Sequence, residues 1–128
     1  MRINHIAVNC TDLEALKAFF QKFFKAQAGP DYHNAQTGLR SSMLIFSEGS
    51  TRLELMSWPD VSPSIREPHR QGLTHLSLSV GHREDVDSLT RLLKAQGYEV
   101  LRNPRTTGDG YYESVVLGPD NLEIELTE

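Results

Sequence analysis

The chain has 128 residues and a formal net charge of −4, with no basic run, which argues against a nucleic-acid partner. Its 38% hydrophobic residues are scattered among charges. No apolar stretch nears the roughly 20 residues of a membrane helix, and the opening, without a basic region followed by an apolar run, does not read as a signal peptide. One cysteine, Cys10, rules out an intrachain disulfide and fits a reducing cytoplasm.

Residues 2–10 alternate as a strand, with Ile6, Val8 and Cys10 on one face and His5 on the other. Cys10 therefore reads as a small buried hydrophobe. A helix is expected over residues 11–28, from Leu13, Leu16, Phe20, Phe23 and Phe24 at helical spacing. Thr11 and Glu14 are placed to form its capping box, and Gly29-Pro30 to stop it. Residues 31–38 suggest a short edge strand and turn. Leu39–Ser47 and Thr51–Trp58 then read as a hairpin about Glu48-Gly49-Ser50. Pro59, Pro63 and Pro68 among polar residues mark residues 59–71 as a linker.

Residues 72–80 repeat the first strand, with Leu76, Leu78 and Val80 on one face and His75, Ser77 and Ser79 on the other. A second helix (82–96) follows, carried by Val86, Leu89, Leu92 and Leu93. After it come a short strand (98–102), a loop (103–110), a strand (111–117), a turn (118–121) and a last strand (122–127). His5 and His75 lie 70 positions apart, Lys25 and Lys94 of the two Lys-Ala-Gln helix ends 69, and Glu54 and Glu125 71. Such agreement indicates a duplicated unit. The expected fold is α+β, a single domain of two tandem βαβββ modules (1–58 and 72–128), each leaving one sheet face in need of a partner.

Period-two alternation directs the polar side chains. Leu53 and Leu55 share one face, so Glu54 points away from them; Leu122, Ile124 and Leu126 share another, so Glu123 and Glu125 point away. The repeat chooses Glu125, because Leu53-Glu54-Leu55 matches Ile124-Glu125-Leu126. If the apolar faces pack under the helices, His5, Glu54, His75 and Glu125 project from the opposite faces, and facing curved sheets would enclose them in one cavity. Two imidazoles and two carboxylates suit one borderline divalent ion: zinc, nickel, cobalt, iron or manganese.

These residues resemble the vicinal oxygen chelate superfamily of glyoxalases, bleomycin-resistance proteins and extradiol dioxygenases. The resemblance covers essentially the whole chain, and Gly118-Pro119-Asp120-Asn121-Leu122-Glu123-Ile124-Glu125-Leu126 is similar to its terminal signature. The Met1–His5 opening and Leu53-Glu54-Leu55 look most like bacterial glyoxalase I. That resemblance implies metal ligation by His5, Glu54, His75 and Glu125, with Glu54 or Glu125 as the catalytic base. The glutathione-holding positions depart from the pattern, with Asn9 near one and Ser57-Trp58 near the other. Trp58, Arg105, Tyr111 and Tyr112 are candidate substrate-binding residues.

The expected function is a metal-dependent isomerase or lyase of glyoxalase type. It would act on a small α-hydroxycarbonyl compound, or a thiol adduct of one, through a metal-bound enediolate. The alternatives are a metal-poor, antibiotic-sequestering binder and a metal enzyme of other chemistry, such as a thiol transferase or dioxygenase. A cytoplasmic homodimer with a small-molecule substrate is expected.

Overall fold

A computed structural model describes residues 1–63, 65, 67, 69 and 71–128, so Pro68 of the expected linker lies outside the described residues. The fold is α+β, and the chain divides into two compact units, residues 1–63 and 64–128. Among the described residues, no helix is long and apolar enough to cross a membrane.

In the first unit, β1 (His5–Asn9) leads to α1 (Leu13–Phe24) and two short strands, β2 (Gln27–Ala28) and β3 (Tyr32–His33); β4 (Arg40–Ile45) and β5 (Arg52–Ser57) complete it. β1 runs parallel to β5, β5 antiparallel to β4, and both β2 and β3 pair with β4. One edge strand is thus split in two where Gly29-Pro30-Asp31 interrupts it. The Gly29 N–H still donates to the Met43 carbonyl at 2.8 Å.

The helix begins and ends inside its expected limits of 11–28. Asp12, and not Thr11, is the N-cap: its carboxylate accepts from the Ala15 N–H at 3.0 Å. A carboxylate there also meets the positive end of the helix dipole. Glu14 turns outward instead of closing a capping box and pairs with Lys17 at 2.9 Å and Arg40 at 3.1 Å. Lys25 adopts a left-handed conformation (φ 54°) and stops the helix, which frees Gln27 and Ala28 to pair as β2. Leu13, Leu16, Phe19, Phe20 and Phe23 of α1 are buried, as are Leu44, Leu53 and Leu55 of the sheet. Each such side chain contributes about 1.5–3 kcal/mol relative to exposure.

The second unit has the expected βαβββ order: β6 (Leu76–Ser79), α2 (Arg83–Ala95), β7 (Glu99–Thr106), β8 (Tyr112–Leu117) and β9 (Glu123–Thr127). Its sheet order is β6-β9-β8-β7, with β6 parallel to β9. Residues 103–106, expected in a loop, continue β7 through two register irregularities. Pro104 is tolerated because β7 is the edge strand, where a missing N–H costs no central ladder bond. Val86, Thr90 and Leu93 of α2 are buried with Leu76, Ser114, Val116, Ile124 and Leu126. The Thr90 and Ser114 hydroxyls hydrogen-bond at 2.7 Å, so neither is left bare in that interior.

Candidate metal centre

Strand register assembles the first pair. With Ile6, Leu53, Val8 and Leu55 turned one way, His5, Ala7, Asn9, Arg52, Glu54 and Met56 share the other face. His5 Nε2 and Glu54 Oε2 stand 3.6 Å apart there. The His5 Nδ1 lies 2.9 Å from the Asn4 side-chain carbonyl, and the Arg52 guanidinium donates to that same oxygen.

The second pair forms in the same way in the second unit. Leu76 and Leu78 match Ile124 and Leu126 on one face, leaving Ser77 beside Glu125 on the other. His75, one residue before β6, places Nε2 3.4 Å from Glu125 Oε2. The Ser77 hydroxyl donates to Glu125 Oε1 at 2.7 Å. His75 Nδ1 is buried and has no hydrogen-bond partner among the described residues. Glu123, on the same face, approaches Arg102 at 3.9 Å.

Glu113, which alternation within β9 could not reveal, also belongs to this face. Val115 pairs with Glu125 and Glu113 with Thr127, so Glu113 is a diagonal neighbour of Glu125. Burial pushes its carboxyl above the usual range. The charge of Glu125 and a hydrogen bond with it act in the same direction, while Arg105, 3.7 Å away, opposes them. Arg105 therefore reaches the Glu125 face. Tyr112 does not: its hydroxyl donates to Asp87 on α2 at 2.8 Å and its ring lies under Arg83, on the helix side of the sheet. Tyr111 is 59% exposed just before β8. Trp58 follows β5, half-buried, at the start of a turn closed by the Val61 N–H on its carbonyl at 3.2 Å.

Each His–Glu pair has the donors and the spacing of two ligands to a divalent ion. Both Nε2-to-carboxylate gaps, 3.6 and 3.4 Å, exceed the usual N–H···O range of about 2.7–3.2 Å. Two ligands bound at about 2.0–2.2 Å in tetrahedral geometry lie about 3.4 Å from each other, so each pair has a suitable bite. Among the described residues, no group of three or more His, Cys, Asp or Glu side chains is arranged to hold a metal; the donors occur as pairs.

A family model, the Glyoxalase/Bleomycin resistance protein/Dioxygenase superfamily, matches residues 2–126. The chain belongs to that superfamily. An uncharacterized Bacillus subtilis protein, YqjT, is 30% identical over 97% of this chain and 96% of its own. Among solved structures, a glyoxalase family protein from Enterococcus faecalis is 26% identical, with a TM-score of 0.80 over 99% of this chain and 97% of that one. Glyoxalase I from Zea mays shares the fold at 18% identity and a TM-score of 0.78, covering 98% of this chain and 44% of its own.

Proposed function

We propose that the protein is a metal-dependent isomerase or lyase of glyoxalase type, acting on a small α-hydroxycarbonyl compound or its thiol adduct. The observation that carries this reading is the recurrence of one imidazole–carboxylate pair in each half, at repeat-matched positions and 3.4–3.6 Å separation. His5, Glu54, His75 and Glu125 would hold one divalent ion, the two pairs coming from one chain or from two chains of a symmetric dimer. Zinc, nickel, cobalt, iron and manganese all suit the donors. When bound, the ion polarises two adjacent substrate oxygens as a Lewis acid.

The protein's own groups move the proton. The carboxylate of Glu54 or Glu125 takes it from the carbon bearing the hydroxyl and returns it to the neighbouring former carbonyl carbon, while the hydroxyl proton passes to the former carbonyl oxygen, so the substrate is isomerised without an external oxidant. Ser77 holds one oxygen of Glu125, which leaves the other facing His75. Arg105 supplies a positive charge on the Glu125 face for an anionic substrate group.

Neutral Asn9 ends β1, paired with neutral Met56, where glutathione recognition would need a cation. Half-buried Trp58 next to β5 favours an apolar or aromatic substrate body. Nickel- or zinc-loaded protein should therefore turn over the glutathione–methylglyoxal hemithioacetal poorly. It should exchange the carbon-bound proton of less polar α-hydroxycarbonyl compounds with solvent deuterium. Turnover of the hemithioacetal near 10⁶ M⁻¹s⁻¹, typical of an efficient enzyme, contradicts the substrate assignment. Absence of metal-dependent exchange across a panel of such compounds contradicts the reaction class.

A further inference from the structure

We infer that Asn4, anchored by Arg52, is a positioning residue that fixes the His5 imidazole in its Nδ1–H tautomer and so turns the lone pair of Nε2 towards Glu54. The argument starts at Arg52. A guanidinium has only donors, so the Asn4 atom it meets must be the side-chain carbonyl oxygen and not the amide nitrogen. His5 Nδ1 lies 2.9 Å from that same oxygen. An oxygen acceptor there requires a proton on Nδ1, and a neutral ring with its proton on Nδ1 carries its lone pair on Nε2. Nε2 is the atom 3.6 Å from Glu54.

The arrangement follows from topology. β1 and β5 run parallel with His5 beside Arg52, and the Arg52 N–H donates to the Asn4 backbone carbonyl at 3.2 Å. Asn4 is therefore tied to Arg52 by both backbone and side chain. The second half lacks the device. Thr74 and Glu123 stand at the positions matching Asn4 and Arg52, and His75 Nδ1 has no partner among the described residues. There the carboxylate is oriented instead, by Ser77; Ala7 occupies the position matching Ser77. Each half thus orients a different member of its pair.

The consequence for affinity rests on the metal reading above: loss of a group that orients a ligating histidine lowers metal affinity about 10- to 100-fold. Two readouts separate the two ideas. Long-range ¹H–¹⁵N correlation of the histidine rings in metal-free protein reads the tautomer directly, and competition with a chelator measures Zn²⁺ affinity. At pH 8.5 the parent should show His5 protonated at Nδ1. Asn4→Leu, which removes the acceptor, and Arg52→Met, which frees the amide to turn, should shift His5 towards the Nε2–H form. Both should weaken Zn²⁺ binding about 10- to 100-fold, whereas Asn4→Asp, which keeps an acceptor oxygen, should retain the parent tautomer. A parent protonated at Nε2, or a folded Asn4→Leu with the parent's tautomer and affinity, overturns the inference. A tautomer that shifts as expected in a protein with no Zn²⁺ affinity supports the inference and overturns the metal reading instead.

Discussion

At the scale of single residues, Glu54 stands 3.6 Å from His5 and Glu125 3.4 Å from His75, each within its own unit. His5, Glu54, His75 and Glu125 are legible because the repeat and the period-two pattern each select them. Asn4, Arg52 and Glu113 are not, because their contacts depend on the register of strands far apart in sequence. Tyr112 turned out to face α2 because the sequence left the facing of β8 open. A second residue-scale effect is the tie between Asp31 and Lys17, with contacts of 2.8 and 3.0 Å. The hydrogen bond from Lys17 holds the Asp31 carboxyl below its ordinary 3.8, and the one to Asp31 raises Lys17 above its ordinary 10.5. An acid depressed in the folded state stabilises fully above its unfolded value, and that contribution is lost as pH falls through the lower folded value. Asp31→Asn should therefore lower stability at pH 7, by less than about 1 kcal/mol for a pair whose carboxylate is exposed. The difference should fade below about pH 4, as chemical denaturation at several pH values would read out. A cost that grows in acid would contradict the pairing.

At the scale of elements, hydrophobic periodicity located both helices and the main strands, while their ends depended on local chemistry. The first helix was expected to run on to Ala28, but the left-handed turn at Lys25 and the pairing of Gln27 with Ile45 claim that segment for the sheet. Residues 103–106 were expected in the loop 103–110, yet they continue β7, an edge strand that accommodates Pro104 through its register irregularities. The shift of the N-cap from Thr11 to Asp12 can be tested. Asp12→Ala should cost about 1 kcal/mol of stability, the usual value for a lost cap. If urea denaturation finds Asp12→Ala as stable as the parent, the Asp12 carboxylate is not capping α1.

At the scale of the whole molecule, the His–Glu pair recurs, its histidines 70 and its glutamates 71 positions apart. Each compact unit carries one His–Glu pair, and a pair alone is two ligands short of the four usual for zinc. A symmetric dimer is the assembly proposed for this chain. Light scattering at micromolar concentration should then give about twice the 14.4 kDa chain mass, and a monomer mass would remove that assembly.

The most direct test of the proposed four-ligand reading is the stoichiometry of Zn²⁺ binding, measured by calorimetry for the parent, His5→Ala and His75→Ala. Four ligands around one ion predict one tight Zn²⁺ per chain, with affinity lost in either variant, because each removes a ligand from the same ion. Two Zn²⁺ per chain, with each variant losing only one, would show that the pairs act separately; parent-like affinity in either variant would show that its histidine is not a ligand.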